Sequence, residues 1–188
     1  MLGFQYRAEA DRFLEEFRER LAKFGLELHP DKTRRIEFGR FAQQNRVRRG
    51  EGKPETFDFL GFTHICAKNR NGHYAIKRHT IGKRLRAKLA EIKLQLRQRM
   101  HEPVAHIGKW LKSVVQGYFN YYAVPGNTDS LSLFRTRVIR LWRQALRRRG
   151  QRKHLNWARM SRLEKRWLPS PRVLHPYPEV RFDAIHPR

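Results

Sequence analysis

From Ser130 through Leu163 the chain carries 11 Lys and Arg side chains and no Asp or Glu. Within that stretch Leu131, Phe134, Val138, Leu141 and Ala145 recur at the spacing of one helix face. At about 100° per residue, Arg140, Arg143 and Arg147 fall on nearly the opposite side. Such a helix must bury one face in an apolar core, and its own sequence cannot neutralise the other. A charge run is ordinarily a solvated helix face. Here 34 residues pass without a counter-charge, which favours contact with a polyanion.

The flanking sequence extends the helical pattern. Thr80 is placed as the N-cap of a helix with the stripe Ile81, Leu85, Leu89, Ile92 and Leu96, ringed by Lys83, Arg84, Arg86, Lys88, Lys93 and Arg97. His101-Glu102-Pro103 breaks it. A second helix is expected from about Val104 to Tyr122, burying Ile107, Leu111, Val114, Val115 and Tyr118 and stopped by Pro125-Gly126-Asn127. The acid-free helix follows, from residue 128 or 129 to Arg149. A fourth is expected from about His154 to Trp167, and residues 169–188 form a proline-rich, irregular tail. Tyr118 and Phe119 read as core. Trp110, Tyr121 and Tyr122 suit either packing or stacking on RNA bases. Trp142, Trp157 and Trp167 read as packing between helices.

Residues 1–79 are mixed. Residues 2–6 read as a short strand. Ala10, Phe13, Leu14, Phe17, Leu21 and Phe24 then mark one face of an amphipathic helix, with Gly25 at its C-terminal cap. Leu26-Glu27-Leu28 and Arg35 to Phe38 read as strands around a turn at His29 to Lys32. Residues 39–56 read as an exposed loop. Phe57 to Phe62 reads as one strand, and Thr63–Ala67 with His73–Arg78 as a hairpin about Asn71-Gly72. The fold class expected is α+β: a small strand-and-helix unit over residues 1–79, a basic α-helical bundle over residues 80–168, and the tail.

The formal charge is +25, and it is uneven: residues 1–79 hold 17 basic and 11 acidic side chains, residues 80–188 hold 25 and 6. Such an excess destabilises a compact chain unless an anionic partner neutralises it. No apolar run approaches the roughly 18 residues of a membrane span, and no membrane association is expected. The one cysteine, Cys66, fits a reducing, cytoplasmic compartment. The five aspartates, Asp11, Asp31, Asp58, Asp129 and Asp183, are scattered, whereas two-metal phosphoryl transfer needs convergent carboxylates. No phosphate-binding glycine loop, zinc spacing or nucleophile–base pair is evident. The residues favour a binder over an enzyme.

Several stretches together resemble one family. The opening helix, GLELHPDKTR (Gly25 to Arg34) and FDFLGF (Phe57 to Phe62) resemble the late palm blocks of bacterial group II intron reverse transcriptases. WLKSVVQGYFNYYAVPGN (Trp110 to Asn127) and FRTRVIRLWRQALRRRGQ (Phe134 to Gln151) resemble their maturase-specific domain, which is also the polymerase thumb. RWLPSPRVLHPYP (Arg166 to Pro178) is similar to the family's C-terminal tail. The resemblance implies a remnant of the reverse-transcriptase palm followed by a thumb and maturase bundle, binding group II intron RNA to assist its splicing.

It also implies roles for named residues. Lys32 matches the lysine near the incoming nucleotide's phosphates, and Phe59, Leu60 and Gly61 match the block supporting the primer end. The candidate RNA-binding residues are Lys109, Lys112, Tyr121, Tyr122, Arg140, Arg143, Arg147, Arg148, Arg149, Arg152 and Lys153. The family's Tyr-Ala-Asp-Asp block, which holds Mg2+ in the full-length enzymes, does not occur in this sequence. The expectation is therefore a C-terminal part without polymerase carboxylates, catalytic residues or a cofactor of its own. Its alternatives are a component of RNA-directed DNA synthesis completed by a missing N-terminal part, and a non-functional truncated product.

Overall fold

Strands need a neighbour to accept their hydrogen bonds, whereas a helix closes its own; this difference decides which expected elements form. The structure, a computed structural model, describes residues 1–69, 71–149 and 155–177, and divides into two compact units, Met1–Glu37 and Phe38–Arg188.

The first unit contains helix α1 (Arg7–Ala22). Its apolar stripe is half covered and no residue of it is buried. Phe4 packs on Phe13 at 5.2 Å between centroids, and Phe13 stacks on Phe17 at 5.6 Å. Gly25, at φ +67, ends the helix as the periodicity implies, with Leu26 N donating to Leu21 O at 3.0 Å. Arg35 pairs with Asp11. The expected strands at 2–6, 26–28 and 35–38 do not form. No ladder partner reaches them among the described residues, and Phe4 is used for packing on the helix. The turn at 29–32 is present, with Lys32 N and Thr33 N both donating to His29 O.

The second unit begins with a short helix, α2 (Ala42–Arg48), inside the segment expected to be a loop. Ala42 is buried, and Arg46 reaches Glu51 at 3.2 Å and Glu55 at 4.0 Å, folding the following segment back along it. Strands β1 (Phe57–Phe59), β2 (Phe62–Lys68) and β3 (Tyr74–Thr80) form an antiparallel sheet in that order. The expected single strand from Phe57 to Phe62 is broken. Phe59 pairs with Phe62 across a two-residue turn of Leu60 (φ +46) and Gly61 (φ +84). Positive φ at both positions is the type I′ condition, whose twist matches paired strands. The β2–β3 hairpin forms as its Asn-Gly signal indicates. Lys68 faces Tyr74, and Asn69 Oδ1 accepts from the backbone N–H groups of Asn71 and His73 at 2.9 Å each.

Four helices complete the unit: α3 (Gly82–Gln98), α4 (Val104–Tyr122), α5 (Thr128–Arg147) and α6 (Trp157–Trp167). Thr80 is not a helix cap. It ends β3, buried, and Ile81 occupies the N-cap position without a side-chain bond. The core lies among the helices: Ile92 and Leu96 from α3, Leu111, Val115 and Phe119 from α4, Leu131, Phe134, Val138 and Trp142 from α5, and Met160 from α6. At about 1.5–3 kcal/mol for each such side chain removed from water, this cluster dominates the favourable side of folding. Tyr118 stacks on Phe134 at 3.7 Å, and burial pushes its hydroxyl up to about 12. Gly108 admits the Trp167 ring, which would stand 2.7 Å from an added Cβ, so α4 and α6 meet at van der Waals distance. Trp157 packs more loosely than expected of the tryptophans: it is 52% exposed, and its ring meets the guanidinium of Arg143 on α5.

Two further clamps fix the bundle. Arg135 donates to Glu164 Oε1 at 2.6 Å and to Pro169 O at 3.0 Å, tying α5 to the end of α6. In the irregular segment after α6, Leu174 N donates to Ala123 O at 2.9 Å, and His175 Nε2 lies 2.7 Å from Asn120 O. The expected boundary after residue 79 falls within the second unit.

Candidate nucleic-acid interface

Helix α5 shows why its sequence alternates as it does. Leu131, Phe134, Val138 and Trp142 are fully buried, while Arg137, Arg140, Arg147 and Arg148 are exposed on the far side. Among the described residues none of these four arginines has a carboxylate within ion-pair distance. Arg137 was not among the expected residues, although its spacing, three residues before Arg140, places it on the same face.

Two other arginines, Arg143 within α5 and Arg149 just beyond its end, are used differently. Arg143 is half-buried, its guanidinium 4.2 Å from the centroid of the Trp157 ring. Such a contact contributes about 0.5–2 kcal/mol, and it holds the start of α6 against α5. Arg149 donates Nη2 to Arg99 O at 3.3 Å, and burial lowers its pKa. Neither therefore stands as a fully exposed cation. Arg152 and Lys153 lie outside the described residues.

Helix α6 adds a second basic face that the sequence reading overlooked. Arg159, Arg162 and Arg166 recur at three- and four-residue spacing and are exposed, beside the face that carries buried Met160 and half-buried Leu163 and Trp167, and the Arg166 guanidinium lies 5.2 Å from the Trp167 ring centroid. The spacing was legible; the intervening Glu164 obscured it, and that carboxylate turns inward to Arg135. Asn156 caps the helix, its Oδ1 accepting from Arg159 N at 2.9 Å.

On α4, Lys109 and Lys112 are exposed beside Gln116 and Asn120, whose side chains bond each other at 2.8 Å. The aromatic cluster divides. Tyr118 and Phe119 are core and Tyr122 is half-buried, whereas Tyr121 is 50% exposed. Tyr121 is held in place: its hydroxyl donates to Leu60 O at 2.7 Å and its ring stacks on Phe62 at 6.0 Å. Gly61 lies against both tyrosines, and a Cβ there would stand 3.2 Å from Tyr122 Oη. The β1–β2 turn and the end of α4 thus form one surface in which Phe59, Leu60 and Tyr121 are all exposed. Lys32 is an exposed turn residue of the first unit.

Among the described residues, no group of three or more His, Cys, Asp or Glu could hold a metal ion. No helix among them is long and apolar enough to cross a membrane. The arrangement can bind anions and stack planar groups. No protein-family model, curated protein or solved structure matches the chain.

Proposed function

We propose that this chain is an RNA-binding module, and that the RNA is a folded group II intron whose splicing-active form it stabilises as part of a reverse transcriptase and maturase. The observation that carries the RNA-binding reading is the exposed arginine face of α5, which has no carboxylate partner among the described residues and is backed by the buried Leu131, Phe134, Val138 and Trp142. A rigid helix holding uncompensated guanidinium groups is suited to phosphate, because each contact releases counterions from the nucleic acid. The exposed arginines of α6 add further cations in the same unit. Exposed Tyr121, fixed by its bond to Leu60 O, offers a stacking surface for an unpaired base. The intron assignment rests on the family resemblance of the sequence blocks. The Tyr-Ala-Asp-Asp block is not in the sequence, so the proposed role is binding and not polymerisation.

A filter-binding titration across salt concentrations tests this reading. Affinity should fall linearly on a log–log plot, by about 0.7–0.9 per phosphate contact. A folded intron RNA should compete better than random RNA of equal length. A flat salt response removes the phosphate-binding reading, and equal competition removes the intron.

A further inference from the structure

Elsewhere in the second unit, a cleft of about 630 Å³ opens between residues 39–44 and the β2–β3 hairpin. Small-molecule sites usually measure roughly 300–1,000 Å³. Its two walls are joined at Cys66, whose Sγ accepts from Gly39 N at 3.4 Å and lies 3.9 Å from Tyr74 Oη. Phe41 presents a ring that is 61% exposed, with the Arg40 guanidinium 5.8 Å from its centroid. Gln43 and Gln44 line the same wall, and each carboxamide offers both a donor and an acceptor. Lys68 lines the hairpin side, and no carboxylate lines the cleft among the described residues.

These groups ask for three properties in one ligand: a planar face for Phe41, a hydrogen-bonding edge for the glutamines, and negative charge for Arg40 and Lys68. A paired nucleotide has its edge occupied and its faces covered by neighbours, whereas an unpaired one presents all three. We propose that the cleft receives one unpaired nucleotide of the bound RNA. The base stacks on Phe41, Gln43 and Gln44 bond its edge, and Arg40 and Lys68 hold its phosphate. The inference rests on the RNA-binding reading above. It adds a preference for unpaired over paired RNA, which phosphate contacts alone do not supply.

Cys66 is the chain's one cysteine and lines the cleft, so a small maleimide reports its occupancy. Labelling of the full chain would be followed by mass spectrometry with a blunt-ended RNA duplex carrying a single-nucleotide bulge, with the same duplex lacking the bulge, and with heparin. Fluorescence anisotropy would measure binding of each separately. At ten times Kd the bulged RNA should slow labelling about tenfold, by simple occupancy, while the other two leave it nearly unchanged. Unchanged labelling with the bulged RNA bound, or equal slowing by all three, overturns the cleft proposal and leaves RNA binding intact. No binding of either RNA in the anisotropy arm overturns the RNA-binding reading itself, and the cleft proposal with it. The Q43A/Q44A variant, altered at two exposed positions, should lose most of the preference for the bulged duplex; an undiminished preference overturns the proposed role of the glutamines.

Discussion

Asn127 and Thr80 are joined by two hydrogen bonds across 47 residues of sequence: Thr80 N donates to Asn127 Oδ1 at 3.0 Å, and Asn127 Nδ2 donates to Thr80 Oγ1 at 2.8 Å. Nδ2 also reaches Tyr122 O at 2.8 Å. One buried carboxamide therefore connects the last strand of the sheet, the end of α4 and the start of α5. Asn127→Ala leaves Thr80 N without its partner, while Tyr122 O keeps its bond from Val124 N. At about 1–3 kcal/mol for a buried unsatisfied group, with the two Nδ2 bonds lost as well, the expected loss is about 2–3 kcal/mol. Thr80→Val keeps the backbone bond and should cost about 1 kcal/mol. Urea unfolding measures both, and an alanine variant as stable as the parent would show that the link does not hold sheet to bundle.

Leu60 adopts φ +46 while its side chain is 66% exposed. A left-handed leucine is unfavourable by about 1–2 kcal/mol, and type I′ turns favour Asn-Gly. Leu60→Asn should therefore stabilise the chain by about 0.5–1 kcal/mol. Gly61→Ala should destabilise it by about 1–2 kcal/mol, since φ is +84 and the new methyl would press on Tyr122. Thermal melts of the two variants should move in opposite directions; shifts of the same sign would contradict the turn assignment.

His64 lies parallel to Phe57 at 4.8 Å, and its Nδ1 is buried without a partner among the described residues. Burial chiefly, with the nearby Arg78 charge, holds its pKa below the ordinary 6.5. As pH falls through 6.5 the unfolded chain takes up this proton before the folded chain does. Stability present above that pH is thus lost progressively until the folded imidazole also protonates. His64→Phe removes the titration and keeps a ring to stack. Its denaturant midpoint should fall less than the parent's between pH 7.5 and 5.0, with the remaining histidines common to both. Identical pH dependence would exclude His64 as a contributor.

Helices were legible in the sequence because a 3.6-residue stripe records the buried face directly. Val104 to Tyr122 is matched to the residue, and α5 differs only at its end. Strands in the first unit were not legible, because apolar alternation says nothing about whether a partner strand is present. Leu26 and Arg35 begin segments with strand-like composition and no ladder. The helix at Ala42–Arg48 was hidden by polar composition; one buried alanine and the Arg46 ion pairs hold it. At the candidate interface, the arginines could be counted but not sorted. Arg135, Arg140 and Arg143 look alike in sequence, yet they serve as a clamp, an exposed cation and a partner of an indole ring.

That sorting supplies the sharpest test of the basic face. Arg140 and Arg147 are exposed and have no carboxylate partner among the described residues, so Arg140→Ala with Arg147→Ala should weaken RNA binding across sequences and leave stability within about 0.5 kcal/mol. The log–log salt slope should fall by about 1.5, at about 0.7–0.9 per lost phosphate contact. Arg135→Ala should do the reverse. It deprives Glu164 and the Pro169 carbonyl of their partner, at about 2 kcal/mol for bonds to a charged group. Its salt slope should match the parent's once temperature is lowered enough to keep the chain folded. Filter binding and urea unfolding on the same three proteins separate the outcomes. A slope lost with Arg135 and kept without Arg140 and Arg147 would place the phosphate contacts on another face of the molecule.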